Sequence, residues 1–320
     1  MTGGALTGAG TAGSARGLAL VALVAASLFW AGNYTVGAAA VQSIDPISLT
    51  FLRWMFAAPV LLVLAAIIER PDWRAAVRAL PRLAGLGALG MIGFVAPLYE
   101  ALRHTTAVSA SVISAICPVL IAVVAAIALR ERPTSRMIAG LAIGLVGVLV
   151  VVSKGSIAAL TSLDLNIGDL WVLIAVLCWT AYTVLGRRVN TVPPITSVGL
   201  QAASVTILLT PVVAVLGLQV PADGPTWGAV AFIVVLPSIG SYLLWNMALR
   251  RIPAASAGIT LNLIPVFVVV IAVAFGGAIT VADLIGGVLV LGGVLLASWR
   301  RQLPAKLAAQ PAEIPPAPTG

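Results

Sequence analysis

The sequence predicts an all-α integral membrane protein, with ten transmembrane helices arranged as two inverted five-helix repeats. Composition, apolar block length and an internal repeat support this class. Of the 320 residues, 61% are hydrophobic and 9% are charged, whereas a soluble domain carries roughly 25% charged residues. The mean hydropathy is +1.12. Lipid allows only helices or closed barrels, and long apolar blocks without alternation favour helices.

Ten apolar blocks are long enough to be interpreted as membrane spans, which need about 20 residues each. Residues 1–16 and 300–320 are rich in small residues or in Pro and Ala, so we expect disordered ends. The first repeat then covers 17–153, an outer linker 154–167 and the second repeat 168–299. The predicted spans are Gly17–Ala40, Ser48–Ile68, Leu83–Leu102, Ala107–Leu129, Met137–Val152, Gly168–Gly186, Ile195–Leu216, Thr226–Leu249, Ala254–Phe275 and Ala282–Trp299.

Most of the 18 basic residues lie in alternate loops. An excess of Arg and Lys marks cytoplasmic loops, so we predict a multi-pass cell-membrane protein with both termini cytoplasmic. The net charge of +8 is assigned to this membrane face and not to nucleic-acid binding. The expected partners are the lipid bilayer and a small-molecule substrate. The cytoplasmic set is Arg16, Arg70, Arg74, Arg78, Arg82, Arg130, Arg132, Arg136, Arg187, Arg188, Arg250, Arg251, Arg300, Arg301 and Lys306.

The chain also repeats itself at a fixed offset. Ala101-Leu102-Arg103 matches Ala248-Leu249-Arg250, 147 positions later, and Pro118 matches Pro265 at the same offset. Five spans per half is an odd number, so the second half must enter the membrane upside down. The loop charges agree, because the loop after the first span has no basic residue while its partner carries Arg187 and Arg188. Inverted repeats of this kind underlie many secondary transporters.

Several short motifs carry a resemblance to a known family. The stretches are Trp30, Ala101-Leu102, Pro118, Glu131, Gly140 and Gly147 in the first half, and Cys178-Trp179, Trp245 to Arg250, Asn262 to Pro265, Gly286 and Gly293 in the second. With these residues the chain resembles the EamA family of the drug/metabolite transporter superfamily over residues 17 to 299.

The resemblance implies a ten-helix carrier with a central substrate cavity. It implies that helices one, three, four, six, eight and nine line the pathway, with five and ten at the periphery. Members of the family move amino acids, nucleosides, sugars, drugs and other metabolites, commonly outward. One departure concerns the Glu expected before the last helix of each half, which Glu131 supplies in the first half but Gly277 replaces in the second.

Polar and aromatic residues inside the spans are the candidate site. Trp30, Asn33 and Tyr34 share one helix face by their spacing, and Trp179 with Tyr182 repeats part of this pattern. They indicate a cavity lining; the alternative is an interfacial aromatic residue with an interhelical hydrogen bond. Ser111 and Ser114 precede Pro118, and Thr260 and Asn262 precede Pro265, where paired interruptions point to a transport site; close helix packing or a hinge are the competing uses. Tyr99, Trp245 and Asn246 complete the predicted substrate pathway.

Charged residues inside the spans are scarce. Glu100 is the candidate for proton coupling, since a desolvated carboxylate binds a proton more readily; the alternative is an interfacial acid paired with Arg103 or His104. We expect Arg53 to extend to the lipid headgroups. A lone histidine, His104, predicts no metal site, and no cofactor is expected.

Small residues raise two further points. Cys117 and Cys178 lie inside apolar blocks, so we expect them to pack as small buried hydrophobic side chains. Gly140 and Gly144 form a GxxxG face, which serves either packing within the chain or a homodimer.

These observations predict a secondary transporter that exports a small organic metabolite, amino acid or drug by alternating access. The sequence has no GxxxxGK[ST] phosphate loop for nucleotide-driven pumping. The alternatives are an uncoupled facilitator or a channel. A membrane-embedded enzyme is disfavoured, because HExxH and clustered Asp residues are absent from the sequence.

Overall fold

The computed structural model describes residues 7–153, 166–189, 191–276 and 280–298, and within these ranges it contains helices and turns but no strand. Most of the predicted linker over 154–167 and the tail over 300–320 lie outside these ranges. So do residues 1–6, whereas a helix begins at Thr7, inside the segment predicted to be disordered.

Ten main helices, α1 to α10, follow one another along the described residues, with one short connecting helix at Trp73–Arg78. Their bounds are α1 Thr7–Ala40, α2 Pro46–Glu69, α3 Leu80–Ala101, α4 Ala107–Ala128, α5 Ser135–Ser153, α6 Ile167–Gly186, α7 Pro194–Leu216, α8 Gly224–Leu249, α9 Ala254–Ala274 and α10 Val281–Ser298.

Eight of the described helices are long and apolar enough to cross a bilayer, namely α1 to α4 and α6 to α9. The apolar stretches of α5 and α10, Ser135–Val151 and Val281–Ala297, are shorter. Large apolar side chains such as Ile127, Ile207 and Val215 are exposed, the last by 86%. A surface of this kind suits lipid and not water, so the protein is a multi-pass integral membrane protein.

Helix starts are set by local capping. The Asp45 carboxylate accepts hydrogen bonds from the N–H groups of Ile47 and Ser48 at the start of α2. Asn166 and Asp169 form a reciprocal capping box on α6. Side-chain oxygens at these positions satisfy N–H groups that have no partner within the helix.

Four helices are interrupted at matching positions of the two halves. α3 contains a π-helical segment at Ala88–Gly93 and α8 one at Val234–Gly240. α4 contains a 3₁₀ turn at Ser114–Ile116 and α9 one at Ile259–Asn262, each just before one of the paired prolines. Such interruptions free backbone carbonyl groups inside the bundle.

The helices pair in a pattern that links the first five to the second five. α5 packs along α10 and α2 along α7, while α1 contacts α8 and α9, and α6 contacts α3 and α4. Polar contacts at both ends of α2 show that it runs antiparallel to α7: Ser48 Oγ accepts from the N–H of Gln219, and the Glu69 carboxylate accepts from the N–H of Ile195.

The crossing of α5 and α10 is built from glycine. A Cβ atom built on Gly140 would lie 2.5 Å from the carbonyl oxygen of Gly293, and one built on Gly147 would lie 2.7 Å from that of Gly286. Only residues without a side chain allow backbones to approach this closely. The predicted GxxxG face therefore packs within the chain, with Gly144 against the Asn262 side chain.

Candidate functional site

An aromatic cluster occupies the centre of the bundle where α1, α6 and α8 meet. The ring centroids of Trp30 and Trp179 are 4.9 Å apart, and that of Trp245 lies 5.5 Å from Trp30 and 5.6 Å from Trp179. Tyr182 and Tyr242 extend the cluster, at 5.1 Å and 5.6 Å from the Trp179 ring. The structure thus brings together aromatic residues that the sequence placed on separate spans.

Three indole N–H groups in this cluster find no hydrogen-bond partner among the described residues. They belong to the Nε1 atoms of Trp30, Trp179 and Trp245, all of which are buried. Contact with the face of a neighbouring ring compensates such a donor only weakly. Buried polar groups in native proteins are almost always paired, so the contacts of the described residues leave an unusual set of three donors unsatisfied in this cluster.

A small cavity of about 20 Å³ lies against this cluster. It is mostly apolar, with a few polar groups from α1 and α4, which is the usual character of a small-molecule site. Its lining residues come from α1, α3, α4, α6 and α9: Trp30, Asn33, Tyr34, Phe94, Ser114, Cys117, Val176, Trp179, Leu261 and Ile264.

Two of the predicted residues that line the cavity contact each other directly. The hydroxyl groups of Tyr34 and Ser114 are 2.7 Å apart. Ser114 Oγ also donates to the carbonyl oxygen of Ala110 at 2.8 Å, so the Tyr34 hydroxyl donates to Ser114. The contact joins α1 to α4 at the 3₁₀ turn.

Arg53 does not extend to the headgroups, and the prediction for it is wrong. Its side chain is buried, with the residue 1% exposed. Nε donates to Ser238 Oγ at 2.8 Å and a terminal nitrogen donates to the Tyr99 hydroxyl at 2.9 Å. The guanidinium also lies 4.9 Å from the centroid of the Trp54 ring. Specific hydrogen bonds to α3 and α8 hold Arg53 inside the bundle.

Tyr99 connects Arg53 to a residue that lines the cavity. Its hydroxyl donates to Asn33 Oδ1 at 2.8 Å, and Asn33 is one of the residues that line the cavity. A chain of hydrogen bonds thus runs from Arg53 through Tyr99 to Asn33. Sequence reasoning named Tyr99 and Asn33, but it missed Arg53, Ser238 and Tyr242. An arginine inside an apolar span was the available signal.

Asn246 lies in a second, more polar pocket nearer the end of α8. Its Nδ2 group donates at 2.8 Å to the Tyr182 hydroxyl and to the carbonyl oxygen of Tyr242. Arg187 and Arg250 line the same pocket. Burial lowers the pKa of the Arg250 guanidinium, and the Glu69 carboxylate partly offsets this effect; an arginine nevertheless stays cationic at neutral pH.

The remaining predicted residues of α4 and α9 are not among the residues that line the cavity. Ser111 donates to the carbonyl oxygen of Val108, and Thr260 donates to that of Ala257. The carbonyl group of Thr260 in turn accepts a hydrogen bond from Ser27. Asn262 faces Gly144 on α5, and its Oδ1 atom has no hydrogen-bond partner in the described ranges. The two prolines, Pro118 and Pro265, are buried just after the 3₁₀ turns.

Glu100 does not line the cavity. Its carboxylate pairs with Arg103 at 3.5 Å and with His104 at 3.0 Å, at the end of α3, and its side chain is 28% exposed. Its role in proton coupling stays a prediction. No group of three or more His, Cys, Asp or Glu residues able to hold a metal ion occurs within the described part of the chain.

Charged side chains tie the helices together at the end of the bundle that carries the arginine-rich loops. The Glu131 carboxylate accepts from the N–H groups of Ala254 and Ala255 at 3.1 and 3.2 Å, capping α9, and pairs with Arg187 at 3.8 Å. Glu69 caps α7 in the same way, and Arg188 donates to the carbonyl oxygen of Ala128. These contacts join the two halves at that end of the bundle.

Apolar helices around a buried, partly polar cavity define the protein as a membrane protein of the transporter class. The chain belongs to the EamA-like transporter family, which it matches over residues 17–153 and 166–299. The two matched segments lie over the two repeats predicted from the sequence.

Individual relatives are also transporters by name. The chain is 31% identical over 291 residues to the uncharacterized transporter YyaM of Bacillus subtilis (strain 168), covering 89% of this chain and 94% of the relative. It is 28% identical over 293 residues to a probable terminal-alkyne amino-acid exporter of Streptantibioticus cattleyicolor, covering 88% and 94%. These names point to transporters rather than enzymes.

A solved crystal structure shares the fold. It is 21% identical in sequence and superposes with a TM-score of 0.69, covering 93% of this chain and 99% of the other. At this identity the likeness bears on the fold alone.

Proposed function

We propose that the protein is a secondary carrier that exports a small organic metabolite, amino acid or drug across the cell membrane. The observation that carries this proposal is the central cavity with unpaired indole donors beside it. A cavity bordered by two residues whose indole donors lack partners in the described chain suits a ligand that binds and leaves. The named function of the terminal-alkyne amino-acid exporter supports a solute of amino-acid size.

The proposed mechanism is alternating access by two inverted halves, with all ten helices crossing the membrane and both termini in the cytoplasm. Matching π and 3₁₀ interruptions in the two halves support the repeat. The glycine crossing supports its inversion, because Gly140 and Gly147 of α5 meet Gly293 and Gly286 of α10 in antiparallel order. Inverted repeats that enclose a site can open it to either side by rocking.

The contacts between the two halves at the arginine-rich end support a resting state that is closed to the cytoplasm. Glu131 and Glu69 cap helices of the opposite half at the arginine-rich end, which is the predicted cytoplasmic side. At the other end, α4 is capped by its own Thr106 side chain. By the proposed symmetry a Glu at position 277 would have reached α4, but the residue is Gly277, which lies outside the described ranges. We therefore propose that opening to the outside is the easier transition.

Counterflow in proteoliposomes tests the carrier. Cells that lack or overproduce the protein are first compared for exported metabolites, and the solute that differs is then loaded inside the vesicles. A carrier gives saturable uptake of labelled solute that is stimulated by the internal load, whereas a channel or enzyme gives no such stimulation. The absence of any solute difference and of any counterflow would contradict the proposed function.

A matched pair of tryptophan variants links the activity to the site. Trp179→Ala removes a ring that lines the cavity, and we expect counterflow to fall at least about tenfold, as for other loss of an aromatic contact in a buried site. Trp227→Ala removes a ring that is 38% exposed and contacts Phe56. We expect this control to keep its activity; equal losses in the two variants would argue against the cavity as the pathway.

The membrane arrangement has its own test. Reporter tags inserted near residues 75 and 225 should appear on opposite sides of the membrane, inside and outside respectively. Finding both on one side would refute the inverted arrangement.

A further inference from the structure

Within the described part of the chain, Arg53 is a buried cation without an acidic partner. The ion pairs found there join Glu100 to Arg103 and His104, and Glu131 to Arg187. The groups that contact Arg53 are the Ser238 and Tyr99 hydroxyls and the rings of Trp54 and Tyr99. All of these are neutral. Buried charges are usually paired with an opposite charge, and no described residue supplies one to Arg53.

Hydrogen bonds with a fixed direction connect Arg53 to the cavity. A guanidinium has donors only, so the Tyr99 oxygen accepts from Arg53. The single hydroxyl proton of Tyr99 is then donated to Asn33 Oδ1. This fixes the orientation of the Asn33 amide and leaves its Nδ2 group without a protein partner among the described residues. Hydrogen-bond chains in a low-dielectric interior polarise one another, which strengthens Asn33 Nδ2 as a donor.

The other polar groups at the cavity are either hydrogen-bond donors or hydroxyl groups that are already paired. Trp30 and Trp179 both line it, and each carries an indole N–H that no described residue pairs. The hydroxyl groups of Tyr34 and Ser114 are occupied with each other and with the carbonyl oxygen of Ala110. Among the described residues that line the cavity, none is acidic. The cavity therefore offers donors and a nearby positive charge.

We infer that the cavity binds the carboxylate group of its solute, and that Arg53 is the positioning residue that sets this charge preference through Tyr99 and Asn33. The inference rests on the proposed transport function and narrows its substrate class to solutes with a free carboxylate. The carboxylate accepts from Asn33 Nδ2, beside the rings of Trp30 and Trp179, while the apolar body of the solute packs against Phe94, Leu261 and Ile264. Arg53 stays behind this layer and does not touch the solute.

The experiment measures binding to the purified full-length protein. The probes are the common L-amino acids and short monocarboxylic acids, each compared with its own primary amide, which keeps the shape but lacks the charge. Binding is followed by thermal unfolding and by quenching of tryptophan fluorescence. We expect at least one acid to bind and its amide to bind about 10- to 100-fold more weakly, as for loss of a hydrogen bond to a charged group.

Variants test whether Arg53 causes the preference for the acid over its amide. Arg53→Gln should weaken binding of the acid by about 10- to 100-fold and leave binding of the amide within a few-fold. Arg53→Lys keeps the charge and should retain a preference for the acid. Arg132→Gln removes an exposed loop arginine and is the matched control. Tyr99→Phe breaks the hydrogen-bond chain without removing the charge, so it reports on the relay if Arg53→Gln does not fold.

Three results would overturn the inference: an amide that binds as tightly as its acid, an acid preference that survives both Arg53→Gln and Tyr99→Phe, or a panel in which no acid binds. None of them contradicts the carrier itself, since counterflow of the metabolite found in cells is measured separately. A transported solute without a carboxylate would leave the proposed function standing and remove this inference.

Discussion

The glycine crossing of α5 and α10 gives a prediction whose size follows from the structure. Gly293→Ala places a Cβ 2.5 Å from the carbonyl oxygen of Gly140 and 2.8 Å from the backbone nitrogen of Gly144. Real Cβ atoms essentially never approach within 3.0 Å of another heavy atom, so the helices must separate by at least about 0.5 Å. A gap of that size loses roughly a quarter to a half of each dispersion contact.

The neighbouring residue supplies the control. Gly292 is exposed on α10, and a Cβ built there meets no described atom within 4 Å. Both substitutions bring the same helix-favouring change from Gly to Ala, about 0.5–1 kcal/mol, so this effect cancels in their difference. What remains is the cost of overpacking, typically about 1–3 kcal/mol. We therefore expect Gly293→Ala to be less stable than Gly292→Ala by about 1–3 kcal/mol.

The assay is reversible unfolding of the purified protein by SDS titration, followed by far-UV circular dichroism. Gly140→Ala should behave like Gly293→Ala, since its Cβ meets the Gly293 carbonyl oxygen at the same 2.5 Å. If Gly293→Ala and Gly292→Ala unfold at the same SDS concentration, the close backbone contact does not stabilise the fold and the reasoning is refuted.

Three further predictions follow from polar contacts. Ser238→Ala removes an acceptor of the buried Arg53 and should lower the free energy of unfolding by about 1.5–3 kcal/mol, measured by the same titration; an unchanged midpoint would contradict the assigned hydrogen bond. Glu131→Ala removes the acceptor of two α9 N–H groups and should raise the rate at which a cysteine introduced at Ala255 is labelled by a maleimide, several-fold over the same cysteine in the parent protein. Glu100→Gln should leave pH-driven transport unchanged, because Glu100 is paired with Arg103 and His104. This result would remove the proposed role of Glu100 in proton coupling. Loss of pH-driven transport in the variant would support that role.

Helical spacing explains why the sequence placed three of the predicted site residues on one face. The shared face of Trp30, Asn33 and Tyr34 follows from their spacing on a regular helix and needs no tertiary information, and all three line the cavity. Asn262 shares a span with polar neighbours in the same way, yet it faces α5. The 3₁₀ turn at Ile259–Asn262 rotates the following residues relative to a regular α-helix, which a fixed helical period does not reproduce.

Arg53 shows what the local sequence pattern could not predict. A position near the end of a span is compatible with a side chain that reaches the headgroups and equally with one that is buried. The choice depends on whether Ser238 of α8 and Tyr99 of α3 are near enough to accept its hydrogen bonds, and these residues lie 185 and 46 positions away in the chain. The sequence pattern within one span does not reveal partners that lie so far away in the chain.

The sequence by itself determined the membrane class, the apolar helices and the family, because these depend on hydrophobicity and motif order along the chain. Only the tertiary structure decided that the indole N–H groups lack partners among the described residues, that Arg53 is buried, and that the GxxxG face meets α10. These properties depend on which helix faces meet, and apolar helices of similar composition can pack together in many ways. The specific contacts of glycine, aromatic rings and a few hydrogen bonds select one of them.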